Sequence, residues 1–543
     1  MDWLKTTLLG GMGVVAWLLV IEWTQFQEAN EPEVIQQSSY ASPSVDSPIP
    51  QALAQNEDEL PVLSGQAPAA VFVEPSNSQL VTVRNDVLEV VIDTLGGDII
   101  EVNLLKHLTK MAVDGGKPFQ LLNRTPNNMY IAQSGLIGPN GTDTRDGRPR
   151  FFATQNSYEF NGNDEVLNVD LTYNQDGVRL VKRFEFSRDG YDVGVEYLIN
   201  NGTSQEWNAT FYGQIKRDSH SPLIESTGVQ PYLGAALREE EKNFSKYDFG
   251  DMEDETVTAS VTGGWVAMVQ HYFVSAWIPP TADKNSFSLR KLGDKDVYLM
   301  GFTGQPIAVA AGGVGEYGAR FYVGPKDQYK LEELAEYLDL TVDYGFLWML
   351  AKPIFFAMQW IHNIVGNWGW SIILLTLGIK LLLYPLSATS LKSMAKMRNL
   401  QPEMARLKEL YGDDRQKMSQ ELMGLYKKEK VNPASGCLPI LLQIPIFFSL
   451  YKVIFVTLEL RHAPWIGWIT DLSAPDPSSI LNLFGLLPYA VPDLGMLSII
   501  SLGILPILLG ISMWVQQKLN PAPTDPTQAM IFAWMPWVFM FML

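Results

Sequence analysis

Residues 372–387 read IILLTLGIKLLLYPLS, an apolar run interrupted by one charge, Lys380. Its length and hydropathy mark 371–391 as a membrane-spanning helix. If that helix enters the bilayer near Trp370, Lys380 lies ten residues in. At helical rise this is about 15 Å deep, close to the midplane of a hydrocarbon core about 30 Å thick. A lysine there costs roughly 2.5–3.5 kcal/mol on the insertion scale, and each flanking Leu or Ile returns about 0.5. The depth argues against snorkelling to the headgroups. No Asp or Glu occurs in 371–391, 438–458 or 494–515, so those segments offer no fixed counter-ion. A water-filled cavity or a transient acidic partner remains. Thr376 stands one turn before Lys380 on the same helix face. Gln443 is a polar neighbour in the segment 438–458. Buried Thr and Gln in such segments are more often helix–helix hydrogen-bonding residues than substrate contacts. Lys452 lies near the outer end of its segment and reads as a snorkelling lysine.

Outward from this helix, the 543 residues divide by composition. Residues 24–345 hold 46 Asp+Glu against 24 Lys+Arg, whereas 387–430 hold ten Lys+Arg against six Asp+Glu. The acidic part argues against DNA as a partner. The basic part lies between two apolar segments, and the positive-inside rule places it in the cytoplasm. Counting spans backwards puts the acidic domain outside and Lys5 inside.

The N-terminus, 1–23, has sixteen uncharged residues from Thr6 to Ile21. It reads as an anchor rather than a cleaved signal peptide, because no small-residue cleavage pattern follows. Residues 24–75 are a polar, Pro-rich linker. From 76 to 343, alternating apolar and polar runs are split by Gly96-Gly97, Gln175-Asp176-Gly177 and Arg188-Asp189-Gly190. That pattern predicts an antiparallel β-sandwich, with a short helix at Glu332–Tyr337. Residues 344–370 suit an amphipathic helix in the interface plane, ending at the aromatic anchors Trp368 and Trp370.

Beyond the span 371–391, residues 392–433 form a helical hairpin with Met394, Met397, Met404 and Met418 at helical spacing and a kink point at Pro402. Its methionine stripe suits either self-packing or binding of varied apolar sequences, and its basic faces suit anionic lipid or ribosomal RNA. Further spans follow at 438–458 and 494–515, separated by an outer or interfacial loop, 459–493. After a cytoplasmic loop, 516–528, residues 529–543 begin a fifth span, and a continuation beyond Leu543 is expected. The expected fold is a polytopic α-helical membrane protein with a large extracytoplasmic antiparallel β-sandwich and a cytoplasmic helical hairpin.

Chemistry-bearing motifs are sparse. One cysteine, Cys437, allows no intrachain disulfide. No GxxxxGK[ST] or HExxH motif occurs. The five histidines, among them His107, His220 and His271, make no metal or catalytic pattern. No catalytic residue, metal or cofactor is expected. A small-solute transporter would show repeated halves and paired intramembrane acids, which are missing. A membrane-anchored sugar-active enzyme would need an acid/base pair in the sandwich.

Several long stretches together resemble the YidC/Oxa/Alb family of membrane protein insertases. They are GGWVAMVQHYFVSAWIP (263–279), VGNWGWSIILLT (365–376), YPLS (384–387), SMAKMRNLQPEM (393–404), YKKEKVNPASGCLPILLQIPIFFSLY (426–451) and ELRHAPWIGWITDLSAPDP (459–477). The resemblance implies a Gram-negative inner-membrane insertase and chaperone with a mutarotase-like periplasmic sandwich. It implies five core spans around a hydrophilic groove closed to the outside. The groove's positive residue maps to Lys380 and its threonine to Thr376. Many members carry arginine there; lysine keeps the charge without the planar fork. The implied partners are nascent membrane proteins, the ribosome, the Sec translocon and the phospholipid bilayer.

Overall fold

The computed structural model describes residues 61, 79–111, 115–126, 128–145, 147–220, 231–411, 414–429, 434–474, 476, 478–483, 503–519 and 526–542. The expected anchor 1–23, the linker up to 75 apart from residue 61, and the start of the segment 494–515 lie outside them. The chain divides into two compact units at Asp343/Tyr344.

The first unit contains two sheets. One has ten strands in the order Val257–Thr262, Lys284–Lys291, Tyr298–Val309, Trp207–Arg217, Asn128–Ile137, Pro118–Thr125, Asp98–Leu108, Leu88–Asp93, Leu80–Arg84 and Ser157–Glu159. The other has nine, in the order Ser245–Tyr247, Gly234–Leu237, Val266–Val269, Phe273–Ile278, Val314–Pro325, Asp192–Asn201, Val178–Ser187, Val166–Gln175 and Phe152–Ala153. The pairing is antiparallel except between Leu80–Arg84 and Ser157–Glu159. Asp176 (φ 50°) and Gly177 (φ 85°) both take left-handed backbone, which a two-residue hairpin turn between right-twisted strands requires. Two short helices complete the unit, α1 (Phe249–Asp254) and α2 (Gln328–Leu334). Helix α2 starts before the expected Glu332 because the Asp327 side chain accepts from the backbone N–H groups of Tyr329 and Lys330.

The sheets pack face to face. Phe119 stacks on Phe273 at 4.4 Å, Phe211 meets Tyr197 at 5.9 Å, and the hydroxyls of Tyr130 and Ser275 are 2.6 Å apart. Within this core lies a polar cluster. In the strand Val178–Ser187, Val178, Leu180, Phe184 and Phe186 point inward, and Lys182 shares their parity. Its ammonium, fully buried, donates to the carbonyls of Gly96, Gly97 and Ser134 at 2.9, 2.9 and 2.8 Å, joining one sheet to the other. Arg148 pairs with Asp98 and, at 3.3 Å, with Asp143. Two cations and two carboxylates thus share one buried site, where loss of one partner strands another.

The second unit is helical: α3 (Trp348–Val365), α4 (Trp368–Leu382), α5 (Tyr384–Tyr411), α6 (Arg415–Lys428), α7 (Ala434–Val456), α8 (Ile504–Leu519) and α9 (Pro526–Met542). Helix α3 packs on α4 and α7, α5 packs on α7 and α6, and α8 packs on α9. The residues that α3 buries, Ala351, Phe355 and Met358, form one stripe at helical spacing. Much apolar surface stays open, including Leu382 (78% exposed), Trp360 (67%) and Trp534 (65%). Patches of this kind mark contact with lipid or protein.

The expected single helix over 371–391 is not what forms. Helix α4 ends at Leu382 and α5 begins at Tyr384, bent by 59°. Pro385 has no N–H to give the carbonyl four residues back, and its ring crowds that carbonyl. By contrast, α5 runs through Pro402 as one helix. Among the described residues no single helix is long and apolar enough to cross a membrane; the bent pair α4–α5 passes that test together.

Two expected outcomes follow. Burial pushes Lys182 down to about 7 from an ordinary 10.5, with Asp98 and Asp143 opposing and Arg148 reinforcing the shift. Between the two values the unfolded chain holds a proton that the native state releases, so stability rises with pH from about 7 to 10.5. Thermal unfolding of the sandwich should show that rise, and Lys182→Met should flatten it; an unchanged slope in the variant would contradict the assignment. Pro385→Ala should straighten the α4–α5 junction, lengthening the distance between spin labels at 373 and 391 by a few ångströms at helical rise. An unchanged distance would assign the bend to packing of α5 on α7.

Candidate functional site

Helix α4 is organised by its N-terminal end. The Asn367 side chain caps it, accepting from Trp370 N–H at 3.1 Å. Gly369, Ser371 and Leu375 are buried. On the side away from Ser371 and Leu375, Ile373, Leu377 and Leu381 are exposed, and Lys380 is exposed with them. Thr376 is half-buried, one turn from Lys380. Among the described residues no hydrogen bond or ion pair reaches the Lys380 ammonium. It therefore stands on an apolar helix face, one to three residues from exposed leucines, without a counter-charge among the described residues.

Gln443 is half-buried on α7. Helices α4 and α7 flank the same helix, α3, but no hydrogen bond joins Gln443 to Thr376 or Lys380 among the described residues. Lys452, also on α7, is half-buried with its ammonium 6.0 Å from the Phe455 ring.

In the hairpin, Met404 is buried (8% exposed) and its sulfur lies 3.8 Å from the Tyr426 hydroxyl of α6. Met397 and Met418 are half-buried; the side chain of Met394 lies outside the described residues. The Asp414 side chain starts α6 by accepting from the N–H groups of Gln416 and Lys417. Met404 therefore joins the two helices, while Leu391, Leu410 and Met423 present apolar side chains outward.

The sandwich offers no accessible acid/base pair at its polar cluster. The Asp98 and Asp143 side chains are 8% and 1% exposed and face Arg148. Burial raises the Asp143 carboxyl above its usual 3.8. An open hollow of about 540 Å³ on the outer face of the nine-stranded sheet, lined by Arg179, Leu198, Val314 and Glu316 among others, holds a single carboxylate. No group of three or more metal-ligating side chains occurs among the described residues.

Sequence reasoning missed two features. One is the Lys182 cluster, signalled by the inward parity of Lys182 in VRLVKRFEFS. The other is the seat that Gly369 offers to Trp465, far apart in sequence and without a local signature. A Cβ on Gly369 would lie 2.2 Å from the Trp465 ring.

The family described as the YidC periplasmic domain matches residues 80–357, and that described as the 60Kd inner membrane protein matches 360–543. A membrane protein insertase YidC of Cellvibrio japonicus is 47% identical over 543 residues, covering 100% of this chain and 93% of the relative. Those of Stutzerimonas stutzeri and Azotobacter vinelandii are each 44% identical, again over 100% of this chain and 93% of the relative. A crystal structure of an active YidC insertase aligns with 86% of this chain and 90% of its own, at 18% identity and a TM-score of 0.32. A galactose mutarotase-related enzyme from Lactobacillus acidophilus aligns with 45% of this chain and 97% of its own, at 9% identity and a TM-score of 0.31. The chain belongs to the YidC family.

Proposed function

We propose that this chain is a membrane protein insertase of the inner membrane, with its sandwich in the periplasm, the α5–α6 hairpin in the cytoplasm and the apolar helices in the bilayer. The observation that carries the mechanism is the exposed Lys380 on an apolar face without a counter-charge among the described residues. Full-length similarity to proteins named as insertases supports the activity itself.

The work is transfer of a polar segment past hydrocarbon, and no covalent bond changes. An isolated polar or charged group pays several kcal/mol to enter an apolar medium. A groove containing Lys380, Thr376 and Gln443 lowers that barrier by keeping water and offering a cation to the acidic outer part of a nascent chain. Exposed leucines beside Lys380 let the chain's apolar helix pass into lipid, where its burial drives the step. The hairpin, with Met394, Met397, Met404 and Met418, receives the chain from the ribosome. Methionine's unbranched, polarisable side chain suits varied apolar sequences. On this reading the protein acts alone or with the Sec translocon.

Insertion should be compared for two substrates that differ only in an acidic or uncharged outer tail. Lys380→Arg should insert both normally, because charge is what the groove supplies. Lys380→Ala should lose roughly fivefold on the acidic tail, about 1 kcal/mol of transfer, and Lys380→Glu more. Normal insertion of the acidic-tail substrate by Lys380→Glu would overturn the mechanism.

A further inference from the structure

We infer that Trp465 is a positioning residue for Lys380: its ring, seated on Gly369, sets the rotation and depth of α4 and so where the ammonium stands. The inference rests on the groove reading of Lys380.

The seat is tight and specific. A Cβ built on Gly369 would lie 2.2, 2.3 and 2.7 Å from three Trp465 carbons, where ordinary contact begins at 3.4 Å. Only glycine lets the ring come this close to the helix backbone. The Trp370 ring meets Trp465 edge-on at 5.8 Å, and the Asn367 amide donates to the Pro464 carbonyl at 3.1 Å. One segment thus touches the cap, Asn367, and two positions of the first turn of α4, Gly369 and Trp370.

That segment is itself braced. Trp465 N–H donates to Ile469 O, and Leu472 N–H to Ala463 O, both at 3.0 Å. One Asp471 carboxylate oxygen accepts from the N–H groups of His462 and Ser473 at 2.9 and 2.8 Å. The other end of α4 is different. Leu381 and Leu382 are exposed, and at Leu383 the chain bends by 59° into α5. Lys380 lies eleven residues beyond Gly369, about 16 Å along the axis. The Trp465 contact is one fixed point of α4, beside its packing on α3, and a small rotation or slide there moves the ammonium with it. The Trp465 indole N–H is buried without a partner among the described residues. The ring is held for its shape rather than for a hydrogen bond.

The test uses the full chain in proteoliposomes, with the same substrate pair bearing an acidic or an uncharged outer tail. Gly369→Ala and Trp465→Ala should each lower insertion of the acidic-tail substrate several-fold and leave the other within twofold. Gly369→Ala should add nothing in the Trp465→Ala background, since the clash is gone. Trp465→Phe, which keeps a ring on the glycine, should behave as the parent. Equal losses on both substrates would show a merely structural role and overturn the proposal, as would no loss on either. Lys380→Ala separates the two levels. If it treats both substrates alike, the groove reading fails; if it discriminates and Trp465→Ala does not, the positioning role alone fails. Should Gly369→Ala fail to accumulate, the Trp465→Ala and Trp465→Phe pair decides.

Discussion

An ammonium on an apolar helix must keep water or find an anion, because hydrocarbon can supply neither. The second unit is arranged around that constraint. Helix α4 buries Ser371 and Leu375 on one side, and its charged residue lies on the exposed side, nearly in line with Gly369 three turns earlier. A lysine packed against α3 would need a carboxylate; a lysine on the open side can instead hold water for a passing polar segment. At Leu383 the chain bends by 59° into α5, and at its other end α4 is held by the contacts of Asn367 with Pro464 and of Gly369 with Trp465.

The sandwich meets the same problem in another way. Lys182 is enclosed by apolar side chains, yet three backbone carbonyls converge on its ammonium. Two carboxylates and Arg148 balance the local charge. That lysine is spent on holding two sheets together and has no capacity for a visitor. Lys380 has its capacity intact. The contrast is between a saturated cation inside a core and an exposed cation that no hydrogen bond or ion pair reaches among the described residues.

Much of this organisation was legible. Alternating residues and the Asp176-Gly177 turn announced the hairpins of the sandwich, because left-handed backbone at a two-residue turn narrows the residue choice. Lys380 announced itself by being expensive where it stands. The helix break was readable in Pro385 but was submerged by the apolar run around it. Lys182 could have been found from strand parity, since a charge at an inward position among Leu180, Phe184 and Phe186 has to be satisfied. The burial of Met404 against Tyr426 depends on how two helices meet, and periodicity alone leaves a stripe free to pack on itself or on a partner. The Gly369–Trp465 contact joins positions 96 residues apart, and nothing local to either residue encodes it.

The central claim is that the open face of α4 carries the substrate. A photoreactive side chain at position 376, beside Lys380, should form an adduct with the outer segment of a stalled nascent membrane protein. The same group at position 375, on the packed face, should form none. No adduct from 376, or equal adducts from 375 and 376, would contradict the account.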